Sequence, residues 1–102
     1  MLKEISTEEE YNELINQGAI PIDVRSEEEY NAAKIPNTEI GYDWNNGEFM
    51  DKFIDLDSSK TYVMICRSGN RSMQAGLFLM TNGFESVYNL KGGMINWSGP
   101  TD

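Results

Sequence analysis

Histidine is absent from the 102 residues, cysteine occurs once, as Cys66, and proline three times. Without histidine, neither a Cys–His protease nor a histidine general base can be assembled within the chain. Zinc sites of the usual Cys/His kind are excluded with them, and no metal or other cofactor is expected. A single cysteine makes no internal disulfide and no dithiol redox pair. Positive charge is scarce too: eight Lys and Arg stand against seventeen Asp and Glu, a formal charge of −9. Phosphate backbones are bound through clustered Lys and Arg, so this balance argues against a nucleic-acid partner. Long apolar runs are also missing. None approaches the roughly 18 residues of a membrane span, and the opening Met1-Leu2-Lys3-Glu4-Ile5 lacks the apolar core of a secretory leader. The expectation is a soluble, cytoplasmic protein with no membrane partner. The chemistry left open is that of a thiolate working without a neighbouring base.

What is present is ordinary globular usage, with 39% hydrophobic and 25% charged residues. A chain of this length buries roughly two-thirds of its unfolded surface, enough for one domain spanning residues 1–102 around one core. Its charge is unevenly spread. Between Ser58 and Phe84 lie Lys60, Arg67 and Arg71 and no acidic residue, which makes an electropositive island in an acidic chain.

Short apolar runs alternate with amphipathic stretches. Ser6 with Glu9, or Thr7 with Glu10, fits a capping box; Tyr11, Leu14 and Ile15 continue as an apolar stripe, and Gly18 stops the helix. Ala19 to Val24 reads as a short buried strand despite Pro21. Ser26 and Glu29 repeat the capping spacing and predict a helix over Glu27 to Ala33, ended by Ile35-Pro36-Asn37. In Gly41 to Asp57, aromatic and aliphatic residues suit a helix face that Asn45-Asn46-Gly47 interrupts. Thr61 to Ile65 is the best strand. Ser72 to Thr81 reads as a helix with Met73, Leu77 and Met80 toward the core. Ser86 to Leu90 is another strand, Gly92-Gly93 a tight turn, and Met94 to Trp97 a last helical turn. This alternation predicts an α/β fold with a mostly parallel sheet and helices on both faces, ligands binding beyond the carboxyl ends of the strands. Cys66 lies at that end of the best strand.

The loop Cys66-Arg67-Ser68-Gly69-Asn70-Arg71-Ser72 enters the helix that follows. Amides there lack intrahelical partners and have the positive helix end behind them. Gly69 permits a positive φ, and Asn70 tolerates one. Successive amides turned inward make a nest for an anion centred on the Cys66 sulfur. Ser68 and Ser72 add hydroxyl donors, and Arg67 and Arg71 add charge. Such surroundings draw a cysteine pKa down to about 3.5–7.5 and stabilise a persulfide equally well.

Cys-Arg-Ser-Gly-Asn-Arg-Ser resembles the active-site loop of single-domain rhodaneses. Ile22-Asp23-Val24-Arg25-Ser26 with Glu29-Tyr30 resembles the family's D-V-R-x-x-x-E-[FY] element. Ile35-Pro36-Asn37-Thr38 resembles its H-I-P-G-A turn, with Lys34 and Asn37-Thr38 in place of His and Gly-Ala. Asn82-Gly83-Phe84 and Val87 to Leu90 resemble the strand region after the catalytic helix, and Lys91-Gly92-Gly93-Met94-Ile95-Asn96-Trp97 the closing G-G-[MI]-x-x-W element. The resemblance spans residues 22–97. It implies a three-layer α/β sandwich around a parallel five-stranded sheet. It also implies a thiosulfate sulfurtransferase in which Cys66 takes sulfur from thiosulfate, or from a protein persulfide, and passes it as a persulfide to cyanide, a thiol or a protein acceptor. Cys66 is then the nucleophile. Arg67, Ser68, Gly69, Asn70, Arg71 and Ser72 bind the donor, while Asp23 and Arg25 hold the strand–helix junction. Five residues follow Trp97, so the last helix is expected to be short, with one wall of the site either missing or supplied by a partner.

Other classes use related loops. Phosphatases of this fold, and arsenate reductases, place five residues between Cys and Arg; here four separate Cys66 from Arg71, a smaller cradle suited to sulfur. A non-catalytic rhodanese-like binding module, whose loop typically lacks the cysteine present here, is another alternative, and a sulfur-relay module that takes its sulfur from a protein donor is a third.

Overall fold

Strand β4 (Thr61–Ile65) is buried along four of its five residues, and the sheet is built outward from it. A computed structural model describes residues 2–102. Five strands, β1 (Lys3–Ile5), β2 (Ile20–Asp23), β3 (Ile40–Gly41), β4 and β5 (Ser86–Leu90), form one sheet in the order β1-β5-β4-β2-β3. Every neighbouring pair is parallel. A central parallel strand is covered on both faces, which is why β4 is apolar throughout. Tyr62 and Met64 pack on one side with Phe49, Ala75 and Leu79; Val63 and Ile65 pack on the other with Ile5, Tyr11 and Ile35. Helices α3 (Glu48–Lys52) and α4 (Asn70–Thr81) therefore cover one face and α1 (Glu8–Asn16) the other, the three-layer α/β arrangement expected.

Local signals account for most element ends. Helix α1 is capped by Thr7, with Glu10 completing the box, and α2 (Glu27–Ala32) by Ser26 with Glu29. Pro21 is tolerated in β2 because it pairs with Val63 of β4 at a level that the two-residue β3 does not reach. Asn37 adopts φ 66°, the left-handed conformation that the glycine of the resembled turn would supply. The backbone then closes from Thr38 N to Ile35 O at 3.3 Å. The interruption at Asn45-Asn46-Gly47 is a turn on Asp43, whose Oδ1 accepts from the amides of Asn45 and Asn46. Helix α3 and the 3-10 turn Phe53–Asp55 follow it.

Helix α4 departs from expectation in two ways. It begins at Asn70, two residues early, because Gly69 at φ 98° turns the chain directly into it. Its buried residues are Ser72, Ala75, Gly76 and Leu79, whereas Met73 and Leu77 are 38% and 50% exposed, not core. Small side chains let the helix lie close on the sheet, and that contact outweighs the pull of the larger Met and Leu toward the interior. The short edge strands β1 and β3 carry little local signal; their pairing with β5 and β2 makes them strands.

Candidate functional site

The connections leaving β4 and β2 run to opposite sides, β4 to β5 and β2 to β3. That divergence opens a crevice beyond the carboxyl ends of two adjacent strands, the place where open α/β sheets bind ligands. Cys66 follows β4 there, and Val24-Arg25 follows β2, joined by Val24 N to Ile65 O at 2.9 Å. Cys66 continues the Tyr62–Met64 alternation, so its side chain lies on the α4 side and is fully buried.

Around Sγ the donors converge. Gly69 N lies 3.0 Å away and Ser72 Oγ 3.3 Å. Burial pushes the thiol pKa up, but the Ser72 hydroxyl and the amides of Ser72, Gly69 and Ser68 outweigh it and hold the pKa below its ordinary value.

The loop is turned inward from outside. Helix α5 (Gly93–Asn96) donates Met94 N to Cys66 O at 2.9 Å and Ile95 N to Arg67 O at 3.0 Å. In a trans peptide the N–H points opposite to the C=O. With the Arg67 carbonyl held outward, the Ser68 amide of the same peptide faces the sulfur side. Gly93 has no alternative residue: a Cβ there would lie 2.3 Å from Cys66 O and 2.5 Å from Arg67 O. On the far side Asn89, fully buried, donates Nδ2 to Gly69 O at 3.2 Å and accepts from Ser72 Oγ.

The two loop arginines differ. The Arg71 guanidinium meets Glu29 in a two-pronged pair, at 2.7 and 3.0 Å. Glu29 also accepts from Ser26 N and Ser26 Oγ, completing the α2 cap. Arg71 holds the Glu29 carboxyl down to about 2. Arg67 is exposed and has no ion-pair partner among the described residues. Ser68 and Asn70 are exposed, whereas Gly69 and Ser72 are buried. Asp23 and Arg25, both buried, form a pair at 2.7 Å, and Arg25 Nη2 also reaches Ala33 O at 2.6 Å. This pair ties the end of β2 to the end of α2.

A shallow depression of about 430 Å³ lies at the mouth of the loop, between Arg67, Glu29, Arg25, Met94, Ile95 and Thr101. Thr101, which lines this depression, belongs to a terminal stretch that folds back, with Asp102 and Lys34 exchanging backbone hydrogen bonds at 2.8 and 3.3 Å. Lys34 itself lies over the Tyr30 ring at 4.7 Å. A larger cavity, about 530 Å³, also borders Arg25, and the lining of neither includes the cysteine. No group of His, Cys, Asp and Glu among the described residues could hold a metal ion, and no helix there is long and apolar enough to cross a membrane. Asn89, Glu29 and Gly93 were not singled out from the sequence for these contacts. The available signal was a polar residue on a buried strand, an acid at a capping position and the second of two glycines.

A family model for the rhodanese-like domain matches residues 7–100. The chain is 42% identical over 80 residues to a putative sulfurtransferase, YtwF, of Bacillus subtilis, covering 78% of this chain and 74% of that one. It is 32% identical over 89 residues to the thiosulfate sulfurtransferase GlpE of Pseudomonas syringae, covering 87% and 81%. The solved structure of a rhodanese-like domain protein from Staphylococcus aureus superposes with a TM-score of 0.81 at 28% identity, covering 95% of this chain and 92% of that one. A rhodanese-related protein from Thermoplasma volcanium gives 0.82 at 25%, covering 98% and 97%. A cysteine at the head of a donor-lined loop, on this sheet and among these relatives, makes the chain a member of the rhodanese-like sulfurtransferase family.

Proposed function

We propose that the protein is a thiosulfate sulfurtransferase that carries sulfane sulfur on Cys66. The observation that supports this best is the convergence of the Gly69 amide and the Ser72 hydroxyl on Sγ, in a chain that has no histidine to act as a general base. Such a site stabilises an anionic sulfur and supplies no proton. The Cys66 thiolate attacks the outer sulfur of thiosulfate; the new S–S bond forms as the old one breaks, and sulfite leaves with the electron pair. Cyanide, a thiolate or a protein acceptor then attacks the terminal sulfur, and Cys66 departs as thiolate. Neither step needs a general acid, in keeping with a chain that lacks histidine. The loop amides would cradle the transferred sulfur, with Ser68, Asn70 and Arg71 around the donor and Arg67 as the free cation at the mouth. The reading takes residues 1–102 as one cytoplasmic domain acting without a cofactor or nucleic acid.

A protein persulfide is the second donor to consider, because Glu29 already neutralises Arg71 and leaves one unpaired loop cation for a dianion. Intact-protein mass spectrometry of the reduced protein, before and after thiosulfate, decides. A gain of one sulfur, absent in Cys66→Ser and reversed by cyanide, is expected. No gain removes thiosulfate as donor, and loading from a desulfurase persulfide becomes the deciding assay. Hydrolysis of an aryl phosphate would point to a phosphatase.

A further inference from the structure

Asn89 stands on β5 with its amide fully committed. Nδ2 donates to Gly69 O at 3.2 Å and to Glu4 Oε2 at 3.1 Å. Both of those atoms only accept, so the atom facing Ser72 Oγ, 2.5 Å away, is Oδ1. An amide oxygen only accepts as well, so Ser72 must donate to it. The same Ser72 hydroxyl lies 3.3 Å from Cys66 Sγ. One hydroxyl proton therefore faces two acceptors, both buried.

Counting protons gives two arrangements. While Cys66 is a thiol, its S–H donates to Ser72 Oγ and Ser72 donates to Asn89, so every proton has an acceptor. When the thiol ionises, its proton leaves to solvent. Ser72 must then turn its own proton onto Sγ, and Asn89 Oδ1 becomes a buried acceptor without a donor. A persulfide shifts the negative charge to the terminal sulfur, one S–S bond of about 2.05 Å further out. The inner sulfur then needs the hydroxyl less, and Ser72 can return to Asn89.

We infer that Asn89 is a positioning residue for Cys66, competing for the Ser72 proton so that the free thiolate is held back relative to both the thiol and the loaded persulfide. The inference rests on Cys66 being the nucleophile but not on the identity of its sulfur donor. Other charged groups near the sulfur are Arg67 on the same loop, Arg71 on α4 with Glu29 of α2 against it, and Glu4 of β1 behind Asn89. The Asp23–Arg25 pair lies at the end of β2, and Asp43 lies close enough to act on Arg71. All of these remain when Asn89 or Ser72 is exchanged.

The test is a thiolate titration, by ultraviolet absorbance, of the wild type, Asn89→Leu, Ser72→Ala and the double variant. Asn89→Leu should lower the thiolate pKa by on the order of one pH unit, roughly tenfold more thiolate at a given pH below it. In the Ser72→Ala background the same exchange should change nothing. No fall in Asn89→Leu, or an equal fall in both backgrounds, would overturn the inference. Should Asn89→Leu fail to fold, the wild type decides: the Asn89 side-chain carbonyl carbon resonance should move with the Cys66 titration, and a resonance that stays flat overturns the inference. Neither readout requires sulfur transfer, so a failure of thiosulfate to load Cys66 is a separate result.

Discussion

Arg67 and Arg71 are four residues apart and carry the same charge, yet their surroundings give them different work. Arg71 spends its guanidinium on Glu29, a pair with side chains 20% and 29% exposed. Arg67 has no such partner among the described residues and lines the mouth. Arg67→Ala should therefore raise the KM for thiosulfate about tenfold, the worth of one charge-assisted contact, with a smaller change in kcat. Arg71→Ala should raise KM less, because its charge is already countered, and should cost on the order of 1 kcal/mol of stability, discounted for solvent at a partly exposed pair. Steady-state kinetics together with denaturant melts separate the two. A larger KM effect at Arg71 would mean that donor binding breaks the pair with Glu29.

At the scale of elements, α5 works through its backbone. Four residues long, it contributes two amides that hold the Cys66 and Arg67 carbonyls outward, and only a glycine at 93 lets it come that close. Gly93→Ala should push α5 off the loop, with the overpacking costing about 1–3 kcal/mol. It should also raise the Cys66 thiolate pKa, because the Ser68 amide would no longer be held toward the sulfur. A melt and a thiolate titration on one sample check both. Helix α4 shows the same dependence on small residues: Ser72, Ala75 and Gly76 set its distance from the sheet, and Ser72 reaches the sulfur because of it.

Over the whole molecule, several carboxylates are bound in ways that favour their charged form. Glu29 is held to about 2 by Arg71. Glu10 is lowered by the Ser6 amide and Thr7, Glu48 by the Asp43 amide and Lys52, and Asp57 by Ser59. For each, the folded pKa lies below the unfolded one, so the folded state binds fewer protons on the acid side. For Glu29, the stabilisation is present in full above its ordinary pKa of 4.5 and drains away as the pH falls toward 2. The thermal midpoint should drop across that window. Glu29→Gln should make the drop shallower while lowering the midpoint at neutral pH; an unchanged acid slope in Glu29→Gln would remove the pair from this account.

Elements with strong local periodicity, and the loop with unusual chemistry, are legible in the chain alone. The apolar run at 61–65, the capping pair Ser26–Glu29 and the Gly69 turn act over a few residues, so composition and spacing suffice to read them. The same holds for Cys66 among Arg, Ser, Gly and Asn. Ser6–Glu9 and Thr7–Glu10 fit the first cap equally, and the fold selects Thr7–Glu10. Features that depend on distant partners emerge only in the folded chain. Strands β1 and β3 exist through their pairing, and α4 turns Ser72, Ala75 and Gly76 inward in place of Met73 and Leu77 because close approach to the sheet favours small side chains. Arg71 meets Glu29 across 42 residues, Ser72 meets Asn89 across 17, and α5 seats its amides on the Cys66 loop. Hydrogen bonds and ion pairs of this kind depend on where the fold places each partner, and no local pattern records that.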